Sequence, residues 1–279
     1  MTAAPIISGL RELADSYDAL VCDVWGVVHN GLHAHAASCD ALKRFRSNGP
    51  VVLLSNAPRP VRDMKLQFER LGVPDDCYDA IVTSGVAARE DLAKRADAGK
   101  LAMFHLGPER DRGIFEGLPI ACTDVAQASI ALCTGLFDDE IETPDHYTAL
   151  LSQLKERDLT MLCANPDIVV QRGGKLVYCA GALAQAYESL GGRVVYYGKP
   201  YRPIYDLTFA SLKGRRKPLA IGDGLQTDIK GANGIGIDAL FIADGIHGEE
   251  IEPFTPAHLQ SVFAHAGVRV RGTMRTLVW

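Results

Sequence analysis

Apolar residues in this chain fall into short unbroken runs, and each run stops at a polar or glycine position. Ala19-Leu20-Val21-Cys22 leads to Asp23. Val51-Val52-Leu53-Leu54 leads to Ser55-Asn56. Asp79 to Thr83 leads to Ser84-Gly85, and Pro218-Leu219-Ala220-Ile221 to Gly222-Asp223-Gly224. Such runs do not alternate polar and apolar, so they predict strands covered on both faces, as in a parallel sheet. Between them the pattern turns helical. A helix over 35–48 is closed by Asn48-Gly49-Pro50, and another from Pro60 is closed by Leu71-Gly72. Further helices are expected over 7–16, 202–212, 225–233 and 256–265, with a strand at Ile237–Ile242. Strand and helix alternate throughout, which predicts an α/β fold with a doubly wound parallel sheet.

A second alternation interrupts the first. Strands are expected at Leu101–Leu106, Ser129–Thr134 and Leu159–Cys163, with a helix over Pro144–Arg157. The loop Ala164-Asn165-Pro166-Asp167 and the turn Arg172-Gly173-Gly174-Lys175 suggest a small mixed sheet. The division expected is a core of residues 1–85 and 183–279 with an inserted α/β domain over 86–182. After 183 come a helix to Gly191-Gly192, a strand over Arg193–Tyr197, and Gly198-Lys199-Pro200.

Composition narrows the function classes. The chain has 279 residues and a net charge of −5 without any long basic run, which disfavours nucleic acid and anionic membrane as partners. No apolar run approaches the roughly 18–20 residues of a membrane span. The N-terminal MTAAPIISGL has no basic region followed by an apolar core, so no signal peptide is expected there. Seven cysteines lie singly, with no CxxC pair. That pattern points to reduced thiols in a cytoplasm and away from a zinc site. The glycine-rich 231–236 follows a helix rather than opening one, so it does not suit a dinucleotide.

Polar groups collect at the carboxyl ends of the expected strands, where ligands of open α/β sheets bind. They are Asp23, Ser55 with Asn56, Lys199, and Asp223 with Asp228. Taken alone, Asp23 also reads as a turn residue and Asp228 as a helix cap. Together they compose a phosphoryl-transfer site: a carboxylate nucleophile, a hydroxyl and amides for phosphate oxygens, a lysine for their charge, and acidic groups for a hard cation. Arg59 and Arg202 follow the second and third of these sites and are candidates to reach substrate oxygens.

The segments CDVWGV, LLSNAPRP, IVTSG, CANPD, YYGKPYRPIYD and IGDGLQTDIKGA, in this order, resemble the haloacid dehalogenase (HAD) superfamily, subclass IIA, which includes nitrophenyl-phosphatase-like and sugar phosphatases. The resemblance covers essentially the whole chain. It implies a Rossmann-like core with an inserted α/β cap, and an aspartyl-phosphate on Asp23. It implies Mg²⁺ held by Asp23, the main-chain carbonyl of Trp25 and Asp223, to which the residue pattern adds Asp228 as a further candidate ligand. Ser55, Asn56 and Lys199 would bind phosphate, and Asn165 and Asp167 would face a small phosphorylated substrate; a homodimer is left open.

One position departs from the family. Its phosphatases read Asp-x-Asp in the first motif, and here the third position is Trp25. The missing carboxylate normally protonates the leaving group, so weak hydrolysis of alkyl esters is expected unless another group substitutes. His29 is the nearest candidate, with His33 and His35 close by. The alternative is a phosphate-ligand-binding or regulatory protein that kept the metal site without turnover.

Overall fold

A computed structural model describes residues 5–97, 99–172, 175–246, 248 and 250–279. The turn expected at Gly173-Gly174 lies outside the described residues. The strands are β1 (Ala19–Asp23), β2 (Val51–Ser55), β3 (Ala80–Thr83), β4 (Leu101–Leu106), β5 (Ile120–Cys122), β6 (Ile130–Cys133), β7 (Thr160–Cys163), β8 (Val169–Arg172), β9 (Lys175–Tyr178), β10 (Arg193–Tyr196), β11 (Pro218–Gly222), β12 (Asp238–Ile242) and β13 (Gly272–Met274). The chain divides into two compact units. One comprises residues 1–55, 64–82 and 205–279, the other 56–63 and 83–204.

The first unit holds a six-stranded sheet in the order β13-β12-β11-β1-β2-β3. β1 lies parallel to β2 on one side and to β11 on the other, and β11, β12 and β13 continue parallel. Every residue of β1, β2 and β11 is buried, as their unbroken apolar runs require. Helices Ala36–Phe45 and Val61–Leu71 bury Phe45, Met64 and Phe68 and turn their charged residues outward. The helix Pro256–Ala266 starts with a Thr255 side-chain cap on the His258 amide and stops at Gly267, at φ 68°.

The second unit has its own five-stranded sheet, in the order β10-β7-β6-β4-β5, with every neighbouring pair parallel. Its core gathers Leu106, Met161, Leu183 and Tyr187. β8 and β9 form a separate antiparallel ribbon. The expected mixed sheet is therefore corrected to a parallel sheet beside a small ribbon. β5 has only three residues, two of them exposed, so its apolar run was too short to read. β10 extends this sheet too, past residue 182, where the sequence pattern placed the end of the insert. Its exposed–intermediate alternation suits an edge strand, not a central strand of the six-stranded sheet.

Leu53 in β2 is fully buried, whereas Leu66 is 53% exposed on the outer face of its helix. Leu53→Ala is expected to cost about 2–5 kcal/mol and Leu66→Ala less than about 0.5 kcal/mol. Urea denaturation of the two variants, followed by circular dichroism, checks the contrast.

Candidate active site

Strand register puts three acidic side chains together in the first unit. Asp23 is the last residue of β1, opposite Leu54 of β2, so Ser55 stands one position further along the neighbouring strand. On the other side Cys22 is level with Ile221, and Asp223 follows the end of β11 directly. The next segment, Leu225–Ile229, is a π-helical turn in which the Ile229 amide donates to the Gly224 carbonyl at 3.1 Å. It folds Asp228 back toward Asp223. Such wide turns are rare and recur at functional sites. Oxygens of Asp23, Asp223 and Asp228 lie within 4.8 Å of one another, and all three residues are buried.

Glycines make the room. A Cβ on Gly26 would lie 2.2 Å from Asp223 Oδ2, and one on Gly245 would lie 2.0 Å from the same atom. Gly26 also has φ 85°, a region that glycine adopts without strain. Backbone amides then aim the carboxylates. Ile246 N–H donates to Asp223 Oδ2 at 2.9 Å, and Gly224 N–H donates to Asp228 Oδ2 at 3.0 Å. Gly245 and Ile246 carried no signal in the sequence, because a glycine in a loop has many uses. Three carboxylates at this separation repel one another strongly out of water. An all-oxygen, hard donor set of this kind fits a divalent cation such as Mg²⁺ or Ca²⁺.

Trp25 and His29 form the loop beyond Asp23. The Trp25 indole lies against Gly31, where a Cβ would come within 2.7 Å of its ring, and Gly31 has φ 85°. His29 meets the indole edge to face at 5.1 Å and Phe68 at 6.1 Å. Its Nδ1 accepts from the Gly31 amide at 3.1 Å, which places the proton of the neutral ring on Nε2. Nε2 is buried without a hydrogen-bond partner. Burial, with His35 adding to it, pushes the His29 pKa down to about 4. His29 is thus a neutral packing residue near neutral pH, poorly suited to giving up a proton. Asn30 bonds to the Leu32 and His33 amides, and His33 and His35 meet ring to ring at 6.1 Å.

The second unit brings together another group of the expected residues. Asn56 is 4% exposed and Lys199 3%. The Lys199 amide donates to Asn56 Oδ1 at 2.7 Å, and Asn56 Nδ2 donates to Asp167 Oδ1 at 2.7 Å and to the Lys199 carbonyl at 3.3 Å. Asn165 Oδ1 accepts from the Asp167 amide at 3.1 Å, which closes the turn of that loop. Arg59 pairs with Asp111 at 3.3 Å. Arg202 is exposed at the start of the helix Arg202–Ser211. Asp111 was not legible beforehand, because Glu109-Arg110-Asp111-Arg112 reads as a solvated charge run, yet Asp111 is buried and its neighbours are exposed.

Two family models match the chain, a haloacid dehalogenase-like hydrolase over residues 20–120 and a HAD-hydrolase-like model over 196–266. A hydrolase of the haloacid dehalogenase-like family from Brucella suis 1330 is 41% identical, with a TM-score of 0.87, over 98% of this chain and 100% of that one. The chain belongs to the haloacid dehalogenase-like hydrolase family. Among curated relatives, the ribonucleotide monophosphatase NagD of Escherichia coli K12 is 22% identical over 89% of this chain and 98% of its own length. The D-glycerol 3-phosphate phosphatase of Mycobacterium tuberculosis is 24% identical over 85% of this chain, which spans 66% of that protein. A glycerol phosphate phosphatase from the same organism, solved in complex with magnesium, has a TM-score of 0.66 at 21% identity and covers 88% of this chain and 73% of its own. No helix among the described residues is long and apolar enough to cross a membrane.

If the trio holds a divalent cation, the ion should raise the melting temperature by roughly 5 °C or more at a hundredfold excess over its dissociation constant. Asp223→Asn should melt higher than the parent in chelator and lose that shift; differential scanning calorimetry reads both. A separate expectation concerns Asp111, whose burial raises its pKa from 3.8 to about 6, against the lowering pull of Arg59 and Arg110. The folded state then holds this proton more tightly than the unfolded chain. Its contribution to stability is present below pH 3.8 and is lost as the pH rises through 6. Asp111→Asn should flatten the stability–pH curve across that window in urea titrations at a series of pH values.

Proposed function

We propose that this HAD-type hydrolase is a Mg²⁺-dependent phosphatase of a small organic phosphate, working through an aspartyl-phosphate on Asp23. The observation that carries the reading is the buried carboxylate trio, whose oxygens lie within 4.8 Å of one another and form the hard, all-oxygen donor set that a divalent cation takes. The magnesium-bound phosphatase relative and the phosphatase names of the other relatives support it. The residues expected to hold the ion are Asp23, Asp223, Asp228 and the carbonyl of Trp25. When bound, Mg²⁺ supplies positive charge that offsets the trio and the phosphoryl oxygens.

The chain's own groups do the rest. A carboxylate oxygen of Asp23 attacks phosphorus in line, forming an acyl-phosphate bond as the ester P–O bond breaks. Ser55, the amide of Asn56 and Lys199 hold the phosphoryl oxygens, with Arg59 in reach of substrate. Water then attacks the same phosphorus, releases phosphate and restores the Asp23 carboxylate. The inserted segment, expected over 86–182, acts as the cap that chooses the substrate, with Asn165 and Asp167 in its substrate loop.

Trp25 shapes the rate. An indole cannot protonate a departing alkoxide, and His29 is buried and neutral. Proton donation is typically worth about 10²–10⁴-fold, and that factor is withheld from alkyl phosphates. A nitrophenolate departs without a proton and escapes the penalty. The same observation favours a second reading, a phosphate binder without turnover, but a binder has no use for an in-line carboxylate.

Steady-state phosphate release from p-nitrophenyl phosphate and from glycerol 3-phosphate tests the proposal. Hydrolysis should require Mg²⁺, favour the aryl ester, and vanish in Asp23→Asn. Trp25→Asp should accelerate the alkyl ester by roughly tenfold or more relative to the aryl ester. Ligand bound without release in the parent would support the binder, and equal gains on both esters would remove Trp25 from the account.

A further inference from the structure

In the second unit the carboxamide of Asn56 is hydrogen-bonded through both its oxygen and its nitrogen. Its Oδ1 takes the Lys199 N–H at 2.7 Å, and its Nδ2 gives hydrogens to Asp167 Oδ1 at 2.7 Å and to the Lys199 carbonyl at 3.3 Å. Both N–H bonds are thereby used, so the side chain has no donor left for a substrate oxygen. The orientation admits no flip: exchanging Oδ1 and Nδ2 would set a donor against the Lys199 N–H and an acceptor against a carboxylate. Gly198 is shaped around the contact. A Cβ there would lie 2.4 Å from Asn56 Oδ1 and 2.5 Å from Pro166 Cδ.

We infer that Asn56 is a positioning residue, a latch whose side chain fixes the Lys199 backbone to the Asp167 loop, and that Asp167 anchors this latch through Oδ1. The inference rests on the reading of Lys199 as the phosphate-binding lysine. The latch sets the Lys199 main chain on both sides, through its amide and its carbonyl, so the direction in which its side chain departs follows from the Asn56 rotamer. It also makes the lysine and the Asn165-Pro166-Asp167 loop move as one piece. The partners come from distant parts of the chain, with Lys199 143 positions and Asp167 111 positions beyond Asn56.

Donor and acceptor can be exchanged to test this. Asn56→Asp keeps an oxygen for the Lys199 amide but sets a carboxylate against Asp167. Asp167→Asn weakens the same bond without repulsion. In the double variant the carboxamide introduced at position 167 donates to the carboxylate introduced at position 56, and the net charge is that of the parent. On p-nitrophenyl phosphate, Asn56→Asp should lower kcat/KM by roughly tenfold to a hundredfold, and Asp167→Asn by less. The double variant should return to within about threefold of Asp167→Asn. Losses that multiply in the double variant, or a loss confined to KM in Asp167→Asn and dependent on the leaving group, would overturn the latch and assign Asp167 to the substrate. A second measurement needs no turnover. Amide hydrogen exchange at Lys199 should be at least roughly tenfold faster in Asn56→Ala, with amides of the six-stranded sheet unchanged. Unchanged exchange at Lys199 would refute the latch even in an active enzyme. Faster exchange in a protein without phosphatase activity would keep the latch and reject the phosphatase reading.

Discussion

The mutual repulsion of Asp23, Asp223 and Asp228 is the constraint on which the site depends. Water screens like charges; a closed interior does not. Evidence of the constraint extends beyond the trio itself. Gly26 and Gly245 give up side chains so that Asp223 fits, the π-helical turn brings Asp228 back, and two backbone amides face the carboxylates. A purely structural Asp at a strand end requires none of this. Holding negative charge in place costs folding stability, and that cost is intelligible when a cation completes the arrangement.

Register explains why so sparse a set of residues suffices. β1 is flanked by β2 and β11, both parallel to it, so the carboxyl ends of three strands fall at one edge. Asp23, Ser55 and Asp223 need no long loops to meet. The loop beyond Asp23 is then filled by Trp25, Gly31, His29 and Phe68, an aromatic cluster where the family resemblance leads one to expect a second acid. The indole offers no proton, and under the proposed mechanism leaving-group selectivity would be the chemical consequence.

Much of this was legible in the sequence. The buried strands β1, β2 and β11 were readable because a strand covered on both faces leaves an unbroken apolar run, and their polar ends marked Asp23, Ser55 and Asp223. The parallel pairing of the second sheet was not readable, because β5 and β10 lie at its edges and carry mixed, partly exposed residues. Asn56 stood out in the sequence as a candidate only, and its use as a latch did not: spacing along the chain says nothing of which atoms a carboxamide faces. Asp111 and Gly245 were silent for the same reason, since their roles come from what folding sets beside them. His29 shows the reverse case. Its position six residues past Asp23 suggested an acid, and the fold made it a buried neutral ring.

In the proposed reaction the Asp23 carboxylate itself becomes phosphorylated. Acid quench of the enzyme during turnover of p-nitrophenyl phosphate with Mg²⁺, followed by peptide mass spectrometry, addresses it directly. A hydroxylamine-labile phosphate is expected on the peptide that carries Asp23, and none in Asp23→Asn. Turnover with no phosphorylated enzyme at any quench time, or phosphate on a different residue, would contradict it.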